Sequence, residues 1–375
     1  MTGRREVPLN SLAPGVEAIR PELDAAIDRV LRRGWFLLGP ETEAFEQAFA
    51  AYHGPEFQCA GVGSGTDALR IGLQALGVQT GDEVLVVANA GVPPVAAVVA
   101  AGARPAFCDV DPDTQTLDAA EIERRAGPRA RAVLVVHLYG RTANMEDVLA
   151  QARSRGLVVL EDCAQAHGAR RQGRLAGVWG DAAAFSFYPT KNLGAAGDGG
   201  MVVTNDARLA TRLRSLRVHG GQRRYYHDEV GVNSRLDEIQ AAILRVKLER
   251  LEDWNLERRR HAAYYDGVLA PAVRVPAAAP EGSHIYHQYV IRVPDRDELR
   301  RSLAERGIET AIYYPVPLHR QKCFAYLGYS TGDFPEAEAA AREVLSLPMH
   351  ADLTDEAREY VAGAVLQAQC QELRN

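Results

Sequence analysis

Short apolar runs alternate with longer amphipathic segments through much of the chain, from about residue 56 to residue 203. The apolar runs occupy residues 83–87, 104–108, 131–137, 157–161 and 182–187. The segments with helical periodicity occupy residues 66–76, 94–101, 118–125 and 144–155. Short runs rich in β-branched residues indicate strands, and strands that alternate with helices are typical of crossover connections. The pattern therefore predicts an α/β fold in which helices cover both faces of a largely parallel sheet.

The pattern changes after Arg235, and the rest of the chain predicts a second domain. Residues 236–265 repeat apolar side chains at helical spacing and predict one long helix. Beyond it we expect a strand at 287–293, an irregular segment at 311–319, and helices at 295–306, 335–344 and 355–367. Because 375 residues are enough for two cores, we predict a large domain over residues 1–245 and a smaller C-terminal α/β domain over residues 246–375.

Composition and charge argue against several classes of protein. Apolar residues make up 47% and charged residues 25%, which is ordinary for a globular protein, and the net charge of -6 gives no support to nucleic-acid binding. The first ten residues lack the apolar core of a signal peptide, and glycines and prolines interrupt the most apolar stretch, residues 84–103. We therefore expect a cytoplasmic protein with neither a nucleic acid nor a membrane as partner. The five cysteines have no metal-ligand spacing, so we expect reduced structural thiols and no metal site.

One lysine stands between an apolar run and a glycine-rich stretch. Lys191 follows the run at 182–187 and precedes Gly-Asp-Gly-Gly at residues 197–200. A lysine can react with a carbonyl group through a Schiff base when a cleft holds it and it can lose its proton. Glycines beside it would let a cofactor or a neighbouring backbone approach closely. Most lysines are solvated surface charges, so Lys191 alone does not indicate a functional site. Three other segments of the chain support that interpretation.

The first of these segments is a glycine-rich turn that opens a helix. Residues 61–69 read Gly-Val-Gly-Ser-Gly-Thr-Asp-Ala-Leu. The free N–H groups of a helix N-terminus form a natural phosphate site, to which the Thr66 hydroxyl could add a hydrogen bond. The same residues would also make an ordinary capped helix with Thr66 at or near the N-cap. The turn matches neither the P-loop nor the dinucleotide-binding pattern.

The second and third segments contribute polar groups. The run at 157–161 ends at Asp162, followed by Gln165 and His167, and ligands of open α/β sheets bind at such strand ends. A carboxylate there could hold the protonated nitrogen of a pyridine ring, or simply cap the turn. Residues 233–242 read Asn-Ser-Arg-Leu-Asp-Glu-Ile-Gln-Ala-Ala and suggest a capping box in which Ser234 pairs with Asp237 or Glu238.

Together, these four motifs closely resemble those of the nucleotide-sugar aminotransferases of the DegT/DnrJ/EryC1/StrS family, over about residues 7–349. The resemblance implies a fold-type I enzyme, similar to aspartate aminotransferase, with pyridoxal 5′-phosphate (PLP) as cofactor. Three residues would contact the phosphate within one chain, and three others would serve the ring or its carbonyl. The phosphate residues are Gly65, Thr66 and Ser186. The others are the Schiff-base lysine Lys191, Asp162 at the pyridine nitrogen, and Gln165 near the phenolic oxygen.

The resemblance also implies a homodimer with shared active sites, because Asn233 matches a phosphate contact that crosses from the partner subunit. At one place the chain departs from the family pattern. Members often carry an aromatic residue that covers the cofactor ring two positions after an asparagine like Asn89, and here that position is Gly91. Either another side chain covers that face or the ring is less enclosed.

The reaction implied is a ping-pong transamination from L-glutamate to a nucleotide-linked ketosugar. We expect Tyr188, Tyr313, Tyr314 and His319 near the sugar, although the last three could equally pack a domain interface. Arg224 is our candidate for the diphosphate, within a basic cluster that also contains Arg217, His219 and Arg223 and that a solvated face would explain as well.

Asp198 in the Gly-Asp-Gly-Gly run looks like the members that act at C3, which favours a dTDP-linked 3-keto-6-deoxyhexose. Alternative substrates are a UDP-linked 3-keto sugar and a dTDP-4-keto-6-deoxyhexose. Two further alternatives concern the class of protein. A PLP-dependent sugar dehydratase of the same fold would have histidine in place of Lys191, and a non-catalytic binding or regulatory protein would not need both Lys191 and Asp162.

Overall fold

The computed structural model of the protein describes residues 6–221, 223 and 225–372. A seven-stranded sheet lies at its centre, with strand order β1-β9-β8-β5-β4-β2-β3. The strands are β1 (Gln58–Val62), β2 (Glu83–Val87), β3 (Arg104–Cys108), β4 (Ala130–Val136), β5 (Val158–Asp162), β6 (Arg170–Arg171), β7 (Arg174–Leu175), β8 (Ala182–Ser186), β9 (Gly200–Thr204), β10 (Tyr289–Arg292) and β11 (Val344–Leu347). Neighbours from β3 to β8 are parallel, and β9 runs antiparallel to both β8 and β1. The predicted α/β fold is confirmed.

Helices cover both faces of this sheet and also surround the β10–β11 pair. They are α1 (Ala13–Ala18), α2 (Arg20–Arg33), α3 (Pro40–His53), α4 (Gly65–Ala75), α5 (Pro93–Ala100), α6 (Ala119–Arg125), α7 (Met145–Arg153), α8 (Ala207–Leu216), α9 (Glu238–Leu248), α10 (Leu251–Leu269), α11 (Arg296–Glu305), α12 (Pro335–Glu343) and α13 (Asp355–Glu372). Short 3-10 turns lie at Leu138–Gly140, Leu318–Arg320 and Lys322–Leu327. No helix in the described part of the chain is long and apolar enough to cross a membrane.

The register of the parallel strands decides where the functional side chains lie. Val136 at the end of β4 is paired with Asp162 at the end of β5, and Asp162 is paired with Ala184 on β8. Because parallel strands end at the same edge of a sheet, the residues that follow β4 and β5 come together with Ser186 at the end of β8.

One sequence prediction of an element is wrong, and some strands were not predicted. The helical pattern at 236–265 forms two helices, α9 and α10, because the chain turns at Glu249 and Arg250 between them. The helix predicted at 335–344 is present as α12, but the four residues after it form β11, an unpredicted strand that pairs antiparallel with β10. A strand such as β10 is stable only when a neighbour takes up its backbone hydrogen bonds, and that requirement is not visible in local periodicity. Strand β1 was not predicted from the apolar pattern either.

The buried side chains form separate cores. The largest lies around the central sheet and includes Phe107, Leu134 and Phe334. A second core joins α10, α11, α13 and the β10–β11 pair, and it contains Tyr265 and Val7. Segments therefore cross between the two parts of the molecule, since Val7 comes from near the start of the chain and Phe334 from near its end. The domain boundary at residue 245 stays a prediction.

The cysteines are all free thiols in the structure. Cys59, Cys108 and Cys163 are buried, whereas Cys323 and Cys370 are exposed. Burial raises the pKa of the Cys163 thiol well above its ordinary value, so this residue packs as a small apolar group beside the strand end.

Candidate active site

A pocket of about 250 Å³ lies where β4, β5 and β8 end. The start of α4, the loop after β8 and one residue of the irregular segment close its sides. Its lining includes Ser64, Gly65, Thr66, Gly91, His137, Asp162, Gln165, Ser186, Tyr188, Lys191, Asp198 and Tyr314. The structure thus brings together most of the residues singled out in the sequence.

Lys191 is the reactive group of this pocket. Its backbone N–H donates to the carbonyl of Tyr188 (2.9 Å), which turns the chain between β8 and β9. Burial lowers the pKa of the Lys191 ammonium to about 8, against the opposing effect of the Asp162 carboxylate. At pH 7 roughly one tenth of the lysine is therefore the neutral amine, far more than for an ordinary lysine, and the neutral amine is the form that attacks a carbonyl carbon.

The loop that carries Lys191 is tied to α9 and α10 by polar side chains. Lys247 Nζ donates to the carbonyl of Gly194 (2.7 Å), and Gln240 Oε1 accepts the N–H of Ala196 (2.8 Å). Asn192 donates through Nδ2 to Asn255 Oδ1 (2.8 Å). These contacts, of which the bond between Asn192 and Asn255 is buried, hold the lysine loop in one conformation without touching the Lys191 side chain.

Asp162 faces the pocket while its neighbour Glu161 faces the protein interior, as alternation along a strand requires. Asp162 is 5% exposed, and its Oδ1 accepts the N–H of Ala164 (3.0 Å). Burial raises its pKa, and the hydrogen bond from Ala164 and the charge of Lys191 only partly offset this. A further cation next to this buried carboxyl would stabilise its ionised form, and a protonated pyridine nitrogen would supply that cation.

The Glu161 carboxylate, by contrast, has hydrogen-bond partners for both of its oxygens. Its carboxylate accepts backbone N–H groups from residues 177, 179 and 180 at 2.8 to 2.9 Å, and the imidazole of His137 lies 2.9 Å from Oε2. Since His137 Nδ1 accepts the N–H of Ala143 (3.0 Å), its proton sits on Nε2 and is donated to Glu161. His137 was not among the predicted site residues, although it follows β4 as directly as Asp162 ends β5. The strand-end position was the signal available.

The opening turn of α4 forms one end of the pocket. The helix begins at Gly65, and Ser64 Oγ accepts the N–H of Asp67 (3.1 Å), so the N-cap is Ser64 and not Thr66. A Cβ atom on Gly65 would lie 2.5 Å from the Cβ of Ser186, so only glycine allows this approach. The exposed Thr66 and half-buried Ser186 hydroxyls flank backbone N–H groups at a helix N-terminus, which suits a phosphate group.

The segment before α9 supports this turn from behind. Ser234 Oγ accepts the N–H of Gly63 (2.9 Å) and donates to Asp67 Oδ2 (2.7 Å). The predicted capping box of Ser234 with Asp237 or Glu238 is therefore wrong. Glu238 instead caps a different helix, since its carboxylate accepts the N–H groups at the start of α3 (2.8 to 2.9 Å).

Tyr314 fills the space beside Gly91. A Cβ atom on Gly91 would lie 3.0 Å from Tyr314 Oη and 3.2 Å from its Cζ, so a larger residue at position 91 would displace the phenol ring. Gln165 Nε2 donates to the same hydroxyl (3.3 Å), and Gln165 Oε1 accepts the N–H of Tyr139 (2.6 Å). Burial raises the pKa of Tyr314 to about 12, so the phenol stays protonated.

The remaining residues that were predicted to bind the substrate lie in different surroundings. Tyr188 lines the pocket and is 53% exposed. Tyr313 is half-buried outside the lining, and its carbonyl accepts the hydroxyl of Tyr139. The assignment of His319 to the sugar is wrong, because its Nε2 bonds Glu338 Oε1 (3.0 Å) and its ring packs on Phe334 in the large core.

The basic cluster does not face this pocket in the described residues. Arg217 is 7% exposed and is paired with Glu46, so it ties β1 to α3 and cannot serve a diphosphate. Arg223 is exposed and stacks over Tyr226 at 4.5 Å. Arg224 lies outside the described residues. Asn233 is exposed, is not among the lining residues of its own chain's pocket, and pairs with Val218 in an isolated bridge.

Comparison with known proteins agrees with this geometry. The family model described as DegT/DnrJ/EryC1/StrS aminotransferase family matches residues 17–366. A protein of Geobacillus stearothermophilus called pleiotropic regulatory protein is 46% identical, over 96% of this chain and 98% of that protein. The dTDP-3-amino-3,4,6-trideoxy-alpha-D-glucose transaminase of Streptomyces venezuelae is 47% identical, over 93% of each chain. The crystal structure of S. venezuelae DesV superposes with a TM-score of 0.94 at 46% identity, covering 97% of this chain and 98% of that one.

The pocket fits the cofactor that this family uses. It offers a helix N-terminus with two hydroxyls for a phosphate, a buried carboxyl that lacks a full countercharge, and a lysine with a lowered pKa. The chain belongs to the DegT/DnrJ/EryC1/StrS aminotransferase family and is a pyridoxal-phosphate-dependent aminotransferase.

Proposed function

We propose that the enzyme transfers the amino group of L-glutamate to C3 of a dTDP-linked 3-keto-6-deoxyhexose, in the biosynthesis of an aminodeoxysugar. The observation that carries this choice is the lining of the pocket, where no arginine occurs among the described residues and Lys191 is the single lysine. A sugar carboxylate would need a second cation to pair with, whereas a 6-deoxyhexose does not. The name of the S. venezuelae relative, a transaminase of a dTDP-3-amino sugar, supports the nucleotide and the ring position.

We assign the cofactor contacts as follows. The start of α4 with Thr66 and Ser186 would hold the phosphate, Asp162 would face the ring nitrogen, and Gln165 would face the phenolic oxygen. Bound PLP supplies an electron-withdrawing ring that stabilises negative charge on the carbon that loses a proton. Tyr314 would cover the ring face beside Gly91. A larger residue at position 91 would occupy the space that the Tyr314 phenol fills.

In this assignment Lys191 acts twice. Its Nζ would bind the cofactor covalently through the cofactor's carbonyl carbon, and once free it would hold and return the proton that moves during transamination. A pKa of about 8 suits both tasks, because the amine can gain and lose a proton near neutral pH. Asp162 stays ionised against the ring nitrogen, since that cation offsets the cost of burying the carboxylate.

Asp198 bears on the ring position. Its exposed carboxylate lines the same pocket as Tyr188 and Lys191, on the side of the Gly-Asp-Gly-Gly run. An aspartate there is one methylene shorter than the glutamate more common in C4-acting members, so it would leave more space beneath the sugar. This difference favours presenting C3 to the reacting lysine.

We also propose that the active enzyme is a homodimer in which Asn233 reaches the phosphate of the partner subunit. Exposed apolar side chains lie on the segments around Asn233, which a monomer would leave in water. They are Trp35, Phe36, Leu37, Tyr225, Tyr226 and Val230, between 38% and 93% exposed. Residues 35–37 lie close to Asn233 because Leu37 pairs with Asp237 in a bridge.

Hybrid dimers test the shared site. Lys191→Ala and Asn233→Ala chains should each be inactive or strongly impaired alone. When they are mixed and allowed to exchange subunits, part of the activity should return, because one site of each hybrid keeps Lys191 from one chain and Asn233 from the other. Sedimentation of the active enzyme as a monomer at the assay concentration would contradict the dimer.

The substrate is tested by NMR of the product. The enzyme, PLP and L-glutamate are incubated with dTDP-linked 3-keto and 4-keto 6-deoxyhexoses and with UDP-linked 3-keto sugars, with and without a carboxylate. We expect the amino group at C3 of the dTDP-linked 6-deoxyhexose. Efficient amination of the 4-keto sugar alone would disprove the ring position, and preference for the UDP-linked sugar would disprove the nucleotide. The cytoplasmic location expected from the sequence stays a prediction.

A further inference from the structure

A second cavity, of about 360 Å³, lies behind the lysine loop. It shares only Lys191 with the lining of the cofactor pocket. Its walls come from the N-terminal segment at residues 10–16, from the loop at 189–196, from α9 and α10, and from residues 350–352. None of the residues that would hold PLP, apart from Lys191 itself, reaches this cavity.

Two cations, Lys247 and Arg258, line the second cavity, and its one carboxylate, Asp352, acts on Arg258 alone. Lys247 on α9 donates to the carbonyl of Gly194 (2.7 Å), and burial alone lowers its pKa, with no carboxylate opposing the shift. Arg258 on α10 is 5% exposed, and its guanidinium donates to the carbonyls of residues 286, 287 and 349. Neither forms an ion pair within 4 Å in the described part of the chain. Such cations are usually neutralised by an anion.

His350 adds an unsatisfied polar group to the same wall. Its side chain is 5% exposed, and neither ring nitrogen has a hydrogen-bond partner within residues 6–221, 223 and 225–372. Burial lowers the pKa of His350 to about 4, with Arg258 contributing, so the ring is neutral and can donate one hydrogen bond at neutral pH. A buried imidazole that bonds nothing in the protein indicates a polar occupant of the space it faces.

The rest of the lining is mixed. Val16 and Trp254 are half-buried apolar walls, and Pro189 adds a third. The one carboxylate, Asp352, is an exposed residue whose charge interacts with that of Arg258, so the two cations still exceed the acidic groups of the lining by one. The interior is therefore cationic at one side and apolar at the other, a combination that suits an organic anion better than an inorganic one.

We propose that this second cavity binds a small organic carboxylate, with its carboxylate group against Lys247, Arg258 and His350 and its carbon chain against Val16 and Trp254. Lys247 also holds the carbonyl of Gly194 in the lysine loop, so the ligand would contact the segment that positions Lys191. The site does not depend on which sugar the enzyme aminates, because no residue assigned to the sugar lines it.

The test uses glutarate as the probe, since it has neither an amino nor an oxo group and cannot be turned over. Calorimetric titration of the dimeric holoenzyme at constant ionic strength should show one site per chain without a change in the cofactor's absorbance. Lys247→Gln removes one positive charge and should weaken binding roughly tenfold or more. Lys322→Gln makes the same change at an exposed position outside the cavity and should leave binding unchanged.

A second variant is needed because Lys247→Gln also removes a hydrogen bond to the lysine loop. Val16→Trp fills the apolar part of the cavity and keeps every charge, and it should also reduce glutarate binding. Inorganic phosphate, which lacks a carbon chain, should bind more weakly than glutarate. The proposal is overturned if glutarate does not bind, if it binds equally to both cavity variants, or if phosphate binds as well as glutarate. None of these outcomes would affect the amination of the ketosugar.

Discussion

The cofactor pocket is built from two unlike regions of the molecule. On one side, the register of β4, β5 and β8 fixes the strand ends that carry Asp162 and Ser186. On the other side, Tyr314 belongs to an irregular segment held by single hydrogen bonds, such as that from Gln165 Nε2 (3.3 Å). The rigid edge provides the groups that react or carry charge, and the irregular segment covers them. Substitutions at the edge should therefore lower the rate strongly, whereas those in the segment should have smaller effects.

The largest effect is expected for Lys191→Ala. The variant should fold, lose turnover entirely and leave the absorbance band of added PLP at the position of the free aldehyde, because no other lysine lines the described part of the pocket. Lys322→Ala, at an exposed position, should behave as wild type. Near-normal turnover in Lys191→Ala would contradict the whole assignment.

Asp162→Asn should come next. The loss of a buried charge-assisted hydrogen bond costs about 1.5–3 kcal/mol, which corresponds to a roughly 10- to 150-fold lower rate with less effect on cofactor retention. The neighbouring Glu161→Gln is the matched control, because Glu161 bonds three backbone N–H groups and His137 away from the ring. It should lower the melting temperature more than the rate. A wild-type rate in Asp162→Asn would return that residue to a capping role.

Capture of the cofactor by the apoenzyme should depend on pH. The pKa of Lys191 is about 8, and the attacking form is the neutral amine. The rate of appearance of the absorbance band should therefore fall roughly tenfold for each pH unit below the pKa and level off above it. Because the Asp162 carboxylate raises this pKa, Asp162→Asn should move the midpoint to lower pH. A pH-independent rate would contradict the lowered pKa of Lys191.

The smallest effects are expected in the irregular segment. Tyr314→Phe keeps the ring and removes only the hydroxyl that Gln165 bonds, so it should weaken PLP binding a few-fold, roughly 1 kcal/mol, with the fold intact. His319→Gln should leave PLP affinity unchanged and cost about 1–3 kcal/mol of stability, because His319 is bonded to Glu338 inside the large core. Fluorescence titration with PLP and thermal unfolding measure the two quantities. The reverse outcome would mean that His319, not Tyr314, serves the pocket.

The difference between the strand ends and the irregular segment also explains which residues could be predicted from the sequence. The strands at 83–87 and 104–108 and the strand-end position of Asp162 follow from local apolar patterns. In the segment 311–319 no periodicity exists, so adjacent aromatic and imidazole residues could not be separated into those that face the pocket and those that face the core. Tyr314 and His319 are only five positions apart, yet tertiary contacts place them in different surroundings.

Residues whose partners are distant in sequence were missed for a related reason. Ser234 and Glu238 look like a local capping box, but their hydrogen bonds go to residues more than 160 positions earlier. Local capping rules assume that a side chain bonds its own helix, and here the more favourable partners are the exposed N–H groups of α3 and the turn before α4.

The central claim, that one lysine of this chain carries the cofactor, can be tested directly because the sequence has only three lysines, Lys191, Lys247 and Lys322. Borohydride reduction of the holoenzyme makes the link between lysine and cofactor permanent, and mass spectrometry of the digested protein then locates it. We expect the added mass on the peptide that contains Lys191 and on no other. Cofactor attached to Lys247 or Lys322 instead, or no attachment in a protein that turns over substrate, would contradict the account.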